Sequence, residues 1–283
     1  MSTRPFSIRI FVAEGISDGL RMVEKSNWVG LGVVCPRGRY SHVRKREEFS
    51  NSGVYILVGS EGDNDQPTIY VGEAETVRDR LDSHQANKDF WQLAIVFTTK
   101  GNPLNKAEVQ YLESRLVELA NQNKRCNLDN STQPKRPSLS EADEAEVCGY
   151  LDELLSLLPV LGVRAFETPV LPTRSKAKFF LIGNDWNASG FETNGGFAVL
   201  AGSTARRETV PSMDTYLKTR PKLIKDGVLI ESNGKLQFTI DHEFNSPSHA
   251  ATVIIGANTN GREKWKDENG ISLKVHQGKT ADS

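Results

Sequence analysis

Cysteine is scarce in this chain: only three occur in 283 residues, Cys35, Cys126 and Cys148, far apart and without CxxC spacing. An odd, scattered set excludes a disulfide framework and a thiolate zinc site, and reads as reduced thiols in the cytosol. Long apolar runs are missing too. No stretch approaches the roughly 18 uninterrupted apolar residues that a membrane-spanning helix needs, and Met1-Ser2-Thr3-Arg4-Pro5 lacks a charged-then-apolar leader. The expectation is a soluble, cytoplasmic protein. Net charge is almost absent, with 35 basic against 36 acidic residues. Nothing then attracts a polyanion globally, and a nucleic-acid ligand requires local patches. The densest such patch is Arg37 to Arg46, where Arg37, Arg39, Arg44, Lys45 and Arg46 are joined by His42. Glu47 and Glu48 follow at once, so the run reads equally well as a solvated face.

What is present suffices for a sizeable core. At 37% apolar content, the length favours two domains. Residues 7–12 alternate polar and apolar and read as a strand, and Trp28 to Val34 reads as a second; these form an N-terminal extension, residues 1–50. Val54 to Val58 and Thr68 to Val71 carry β-branched residues on either side of a Gly-, Asp- and Asn-rich turn, the pattern of a β-hairpin. Asp63-Asn64-Asp65 in that turn does not fit a calcium loop.

Glu75 to Asn87 has helical composition. Residues four apart share a helix face, so Arg80 and His84 project together, as a site wall or as a surface Arg beside a partly buried His. Leu93 to Thr98 reads as a third strand. Asn105 then opens a long helix as N-cap, with Glu108 at the reciprocal capping-box position. Glu113 sits one residue off this helix's apolar stripe. A carboxylate there is costly without a partner, which a metal ion or a neighbouring Arg115 or Arg80 could supply. After the proline-punctuated Ser131 to Ser138, Ser140 caps a helix whose early acidic residues suit its dipole.

A compositional break at Thr168 to Lys178 marks a linker, residues 166–178, between residues 51–165 and a C-terminal half, residues 179–283. In that half Lys178 to Ile182 and Gly196 to Ala201 read as strands around Asn194-Gly195. Met213 to Asp226 reads as a helix, Val228 to Ile240 as a hairpin about Asn233-Gly234, and Ser248 to Ile255 as a short helix. Asp241, His242, Glu243 and His249 lack zinc-type spacing.

Two tripeptides, Gly53-Val54-Tyr55 and Tyr70-Val71-Gly72, precede the helix with Arg80 and His84, and Glu113, Asn127 and Asn130 follow in order. In this order and spacing, over about residues 51–131, the chain resembles the GIY-YIG endonuclease family, with Val in place of Ile in both motifs. The resemblance implies an α+β fold with a small three-stranded antiparallel sheet flanked by helices, and one divalent ion, Mg²⁺ or Mn²⁺, on Glu113. It makes Tyr55, Tyr70, Arg80, His84, Glu113 and a late asparagine the site residues. Asn130, in the polar turn before the proline loop, fits that last position better than Asn127. The C-terminal half, from Gly196 through Ser246-Pro247-Ser248 to Trp265-Gly270, resembles a domain of unknown function that bacterial proteins append to such modules.

The implied activity is metal-dependent hydrolysis of phosphodiester bonds in DNA, with RNA as a further candidate substrate and a possible protein partner for the C-terminal domain. Tyr55 would take a proton from water if Arg80 and the metal lower its pKa, with His84 as relay or alternative base. Arg80 would grip a nonbridging oxygen. The competing expectation is a catalytically idle nucleic-acid-binding or regulatory module on the same fold.

Overall fold

A computed structural model describes residues 5–59, 66–167, 179–209 and 219–281. The stretch 168–178 of the expected linker, the Asp63-Asn64-Asp65 turn and the first part of the helix expected from Met213 lie outside the described residues. Within them the protein is α+β, with eight α-helices and two sheets. The chain divides into two compact units, Met1–Thr168 and Pro169–Ser283.

The first unit runs β1 (Ile8–Val12), β2 (Arg21–Lys25), β3 (Gly30–Pro36), α1 (Arg37–Val43), β4 (Gly53–Gly59), β5 (Thr68–Ala74), α2 (Val77–Asn87), β6 (Trp91–Thr99), α3 (Lys106–Asn123), β7 (Asn127–Leu128) and α4 (Glu141–Leu157). Its strands form one sheet in the order β1-β2-β3-β6-β4-β5-β7. The sheet is therefore wider than the three strands expected. β3 is a run of Gly, Leu, Val and Cys buried along most of its length, and such a strand needs neighbours on both edges. It finds them in β2 and β6, pairing with β6 from Gly30↔Thr99 to Pro36↔Leu93. The N-terminal extension thus supplies three strands of the same sheet.

Strand alternation sends the two faces into different cores. Val54 and Ile56 of β4 join the cluster under α3 and α4, while Tyr55 and Leu57 join the cluster under α1 and α2. The ends of α3 and α4 form as their sequences predict. Asn105 Oδ1 accepts from the Glu108 N–H at 3.0 Å and Glu108 Oε2 from the Asn105 N–H at 2.7 Å; Ser140 accepts from the Asp143 N–H at 3.2 Å. Lys25, buried on β2, ties the sheet to α4 by donating to Glu153 and, at 2.7 Å, to Ser156 Oγ.

The basic run is largely paired within the chain. Arg37 donates to the Lys88 and Gln85 carbonyls at the end of α2; Arg39 pairs with Glu14 at 2.8 Å, Arg44 with Asp82 at 2.6 Å and Arg46 with Glu48 at 2.9 Å. Four of its cations are thus held by carboxylates or helix-end carbonyls, which favours the solvated-face reading.

The second unit contains β8 (Phe179–Ile182), β9 (Asn187–Thr193), β10 (Gly196–Val199), β11 (Thr204–Ala205), α5 (Thr219–Lys225), β12 (Leu229–Ser232), β13 (Lys235–Phe238), β14 (His242–Phe244), α6 (Pro247–Ile255), α7 (Gly261–Lys264) and α8 (Leu273–Ala281). Its sheet is ordered β12-β13-β11-β9-β10-β14, with β8 on β9. Asn233 (φ 51°) and Gly234 (φ 74°) make the tight β12–β13 turn that an Asn-Gly pair favours. Trp265, in a polar sequence, is fully buried against Phe197 and donates Nε1–H to the Pro247 carbonyl at 3.0 Å.

Candidate active site

The two motif glycines have packing reasons to lack a side chain. A Cβ at Gly53 would stand 2.5 Å from the Phe97 carbonyl oxygen, because β4 approaches β6 closely there. At Gly72 a Cβ would stand 2.3 Å from the Tyr55 hydroxyl oxygen, because the Tyr55 ring lies across that point of β5. Tyr55 is fully buried on the interior strand β4, and its hydroxyl lies 2.8 Å from His84 Nε2. The Tyr70 ring completes an aromatic cluster, its centroid 4.9 Å from that of His84 and 6.3 Å from that of Tyr55.

α2 presents the other groups. Val77, Leu81 and His84 form its buried face, and Arg80, one turn before His84, stays exposed at the rim. The pKa of Arg80 is raised, chiefly by the neighbouring Tyr55 and further by Tyr70 and Glu73, against an opposing desolvation. His84 is pushed down to about 4, first by burial and then by Lys88 and Arg80, and is neutral near pH 7. The Tyr55 phenol is raised above its usual range. Burial is the main cause and Tyr70 adds to it, while Arg80 acts in the opposite direction without offsetting them. In the protein alone, the lowering that the sequence reading required of Arg80 is outweighed by desolvation.

Glu113, half-buried on α3, is pushed up to about 7, chiefly by burial and then by the charge of Glu73; Arg80 and a hydrogen bond from the Glu73 backbone draw it down. Arg115 turns instead to Glu118 at 2.5 Å. Asn130 spends its amide on β5: Oδ1 accepts from the Val71 N–H at 2.9 Å and Nδ2 donates to the Val71 carbonyl at 2.8 Å. It thereby positions the strand that carries Tyr70. Asn127 lies in β7, where its N–H donates to the Pro67 carbonyl at 2.9 Å.

The structure therefore brings the rings of Tyr55, Tyr70 and His84 together, places Arg80 and Glu113 near enough to act on Tyr55 electrostatically, and sets Asn130 on the backbone of Val71. Two charged groups there were not singled out from the sequence. Glu73 follows Gly72 on β5, and strand alternation puts it on the Val71 side, where α3 packs; period-two reading of the motif strand could have found it. Lys88 pairs with Asp129 and sits 4.4 Å from the Tyr70 ring centroid, a contact with no local sequence signal.

A carboxylate beside a second carboxylate, both half-exposed, is a hard-oxygen donor set that suits a divalent ion retaining several waters. Among the described residues no group of three or more His, Cys, Asp and Glu side chains gathers as a metal site. In the second unit Asp241 accepts from the Ala201 N–H at 2.7 Å and Glu243 from the Thr193 hydroxyl at 2.5 Å, while His249 Nε2 lies 3.3 Å from Thr219 Oγ1. No described helix is long and apolar enough to cross a membrane.

No curated protein matches this chain, and no solved structure does. Residues 179–277, which contain none of the clustered residues, match the model of a family described as a domain of unknown function (DUF4357), so the second unit is similar to that appended domain.

Proposed function

We propose that the first unit is a GIY-YIG-type endonuclease that hydrolyses phosphodiester bonds in DNA with one Mg²⁺ or Mn²⁺ at Glu113. The observation that supports this reading is the clustering of the Tyr55, Tyr70 and His84 rings, with the Tyr55 hydroxyl 2.8 Å from Nε2 of a neutral His84 and with Arg80 and Glu113 both bearing on Tyr55 electrostatically. In this reading β6, β4 and β5, with α2 and α3, stand for the family's three-stranded sheet and its helices.

Each residue has a task set by its surroundings. Tyr55 is too high in pKa to act as a free phenolate near pH 7, so it takes a proton from water only while passing its own proton to His84 Nε2. With its ring proton on Nδ1, neutral His84 accepts at Nε2. Arg80 offers guanidinium N–H groups to a nonbridging phosphate oxygen, and Tyr70 beside it orients the phosphate or the water. Glu113, with Glu73 next to it, would hold the metal. A bound divalent ion supplies Lewis-acid polarisation of the phosphate and neutralises charge on the departing oxygen.

The test is a panel of labelled duplex, branched and single-stranded DNA, with RNA alongside, incubated with and without Mg²⁺ or Mn²⁺. Strand scission that requires the metal, stops with chelator and disappears in Glu113→Gln is the expected result. Tight binding without scission under every condition assigns the chain to the idle binding class instead.

A further inference from the structure

The outer edge of β1 has a built-in complement. Among the described residues no strand lies beyond it, so it ends the seven-stranded sheet. Edge strands are usually protected by lysine, proline or a bulge, whereas Ile8–Val12 carries Arg9 as its single charge and leaves Ile10 46% and Phe11 58% exposed.

The ladder to β2 shows which main-chain groups remain available. The Ser26 N–H donates to the Ser7 carbonyl and the Ala13 N–H to the Leu20 carbonyl, both at 3.0 Å. Hydrogen-bonded pairs alternate along an antiparallel ladder, so residues 7, 9, 11 and 13 turn their N–H and C=O groups toward β2. Ile8, Ile10 and Val12 turn theirs to the open edge.

We infer that this edge pairs with the same edge of a second copy of the chain, antiparallel, about a two-fold axis at Ile10. That register sets Ile10 opposite its twin and Ile8 opposite Val12 of the other copy, matching every outward N–H with an outward C=O in about six main-chain hydrogen bonds. One face becomes a continuous row of β-branched apolar side chains. On the other, Arg9 of each copy stands opposite the exposed Phe11 of its twin, a cation over a ring. A two-fold axis shifted to Arg9 would put two guanidinium groups face to face, and one shifted to Phe11 would leave both arginines without a ring. Charge and shape together select the axis at Ile10, and the product is one sheet continuous through two subunits.

Sedimentation velocity of the full chain across a range of concentrations tests this, with a mass near twice 31.4 kDa expected at the upper end. Ile10→Pro removes an N–H that β2 does not use, and Ile10→Lys puts like charges opposite one another; each weakens self-association by about tenfold or more. Circular dichroism checks that each variant is folded, and Ile10→Lys carries the test if the proline variant is not. Under oxidation Ile10→Cys gives a disulfide-linked dimer, since residues opposite in a hydrogen-bonded pair lie within disulfide reach. Arg9→Cys cross-links only to Phe11→Cys. A monomer at every concentration, a dimer indifferent to both Ile10→Pro and Ile10→Lys, or Arg9→Cys cross-linking to itself overturns the inference.

Discussion

At the scale of single residues, the proposed chemistry turns on the hydroxyl of Tyr55, which is buried and hydrogen-bonded to a neutral imidazole. Tyr55→Phe keeps the ring packed and removes only the proton carrier, so turnover falls about a hundredfold or more, while DNA affinity changes little. Arg80→Ala costs a similar factor through loss of a charge-stabilising donor. Single-turnover rates and binding isotherms separate the two effects. A wild-type rate for Tyr55→Phe would make His84 the base. Glu113 gives a second prediction, in stability rather than rate. Its folded pKa of about 7 stands above the ordinary 4.5, so the stability it contributes is present below pH 4.5 and lost as pH rises through 7. Glu113→Gln therefore melts higher than wild type at pH 8, and by a smaller margin at pH 5. Mg²⁺ raises the melting temperature of the wild type at pH 8 and leaves Glu113→Gln unmoved. His84 acts with the opposite sign. Folded at about 4 against an ordinary 6.5, it adds stability above pH 6.5 that is lost as pH falls toward 4.

At the scale of elements, α2 and α6 illustrate how a cation can serve a helix end rather than a ligand. Arg37 closes the carbonyls of α2. Arg220, buried in α5, donates to the Val253 carbonyl at 2.7 Å, the Ile254 carbonyl at 3.2 Å and the Arg207 carbonyl at 3.2 Å. It complements the negative end of α6 and is unavailable as a phosphate contact, although it lies in the basic stretch from Lys218 to Lys225, whose first residue is outside the described set. Arg220→Ala removes its donors to the Val253 and Arg207 carbonyls, while the Ile254 carbonyl keeps the Arg206 N–H, and costs about 2 kcal/mol or more in the second unit. Thermal unfolding shows the loss, and cleavage by the first unit continues below the new transition. A melting curve unchanged from wild type would mean that water replaces the guanidinium.

At the scale of the whole molecule, near-neutral charge means that, under the proposed function, DNA would be held by a few placed groups in one unit or the other. Arg206 lies 4.0 Å from Asp185 and Arg207 3.0 Å from Glu231, so the second unit's basic residues are partly compensated. If they nonetheless contact phosphates, ending the chain at Thr168 lowers affinity and flattens the salt dependence by nearly one unit of slope per lost contact. Binding isotherms at several salt concentrations on the folded truncation and the full chain measure this. Equal slopes point to a protein partner for the second unit.

Local signals in the sequence determined much of this protein. The Asn105–Glu108 box, the Ser140 cap, the hairpin of β4 and β5 and the Asn233-Gly234 turn depend on residues a few positions apart, and period and turn chemistry suffice to place them. Arg80 and His84 stand one helical turn apart in the sequence, but only the structure sets His84 on the buried face of α2 and Arg80 at its exposed rim. The joining of residues 1–50 to the sheet was not legible, because it rests on a partner distant in sequence: β3 is held by its match to β6. The tertiary structure alone decided the electrostatics of the site. Burial raised Tyr55 and Glu113 and lowered His84, Asn130 was drawn to the backbone of Val71, and Glu73 was set against Glu113. Desolvation depends on everything packed around a group, and no spacing between residues records it.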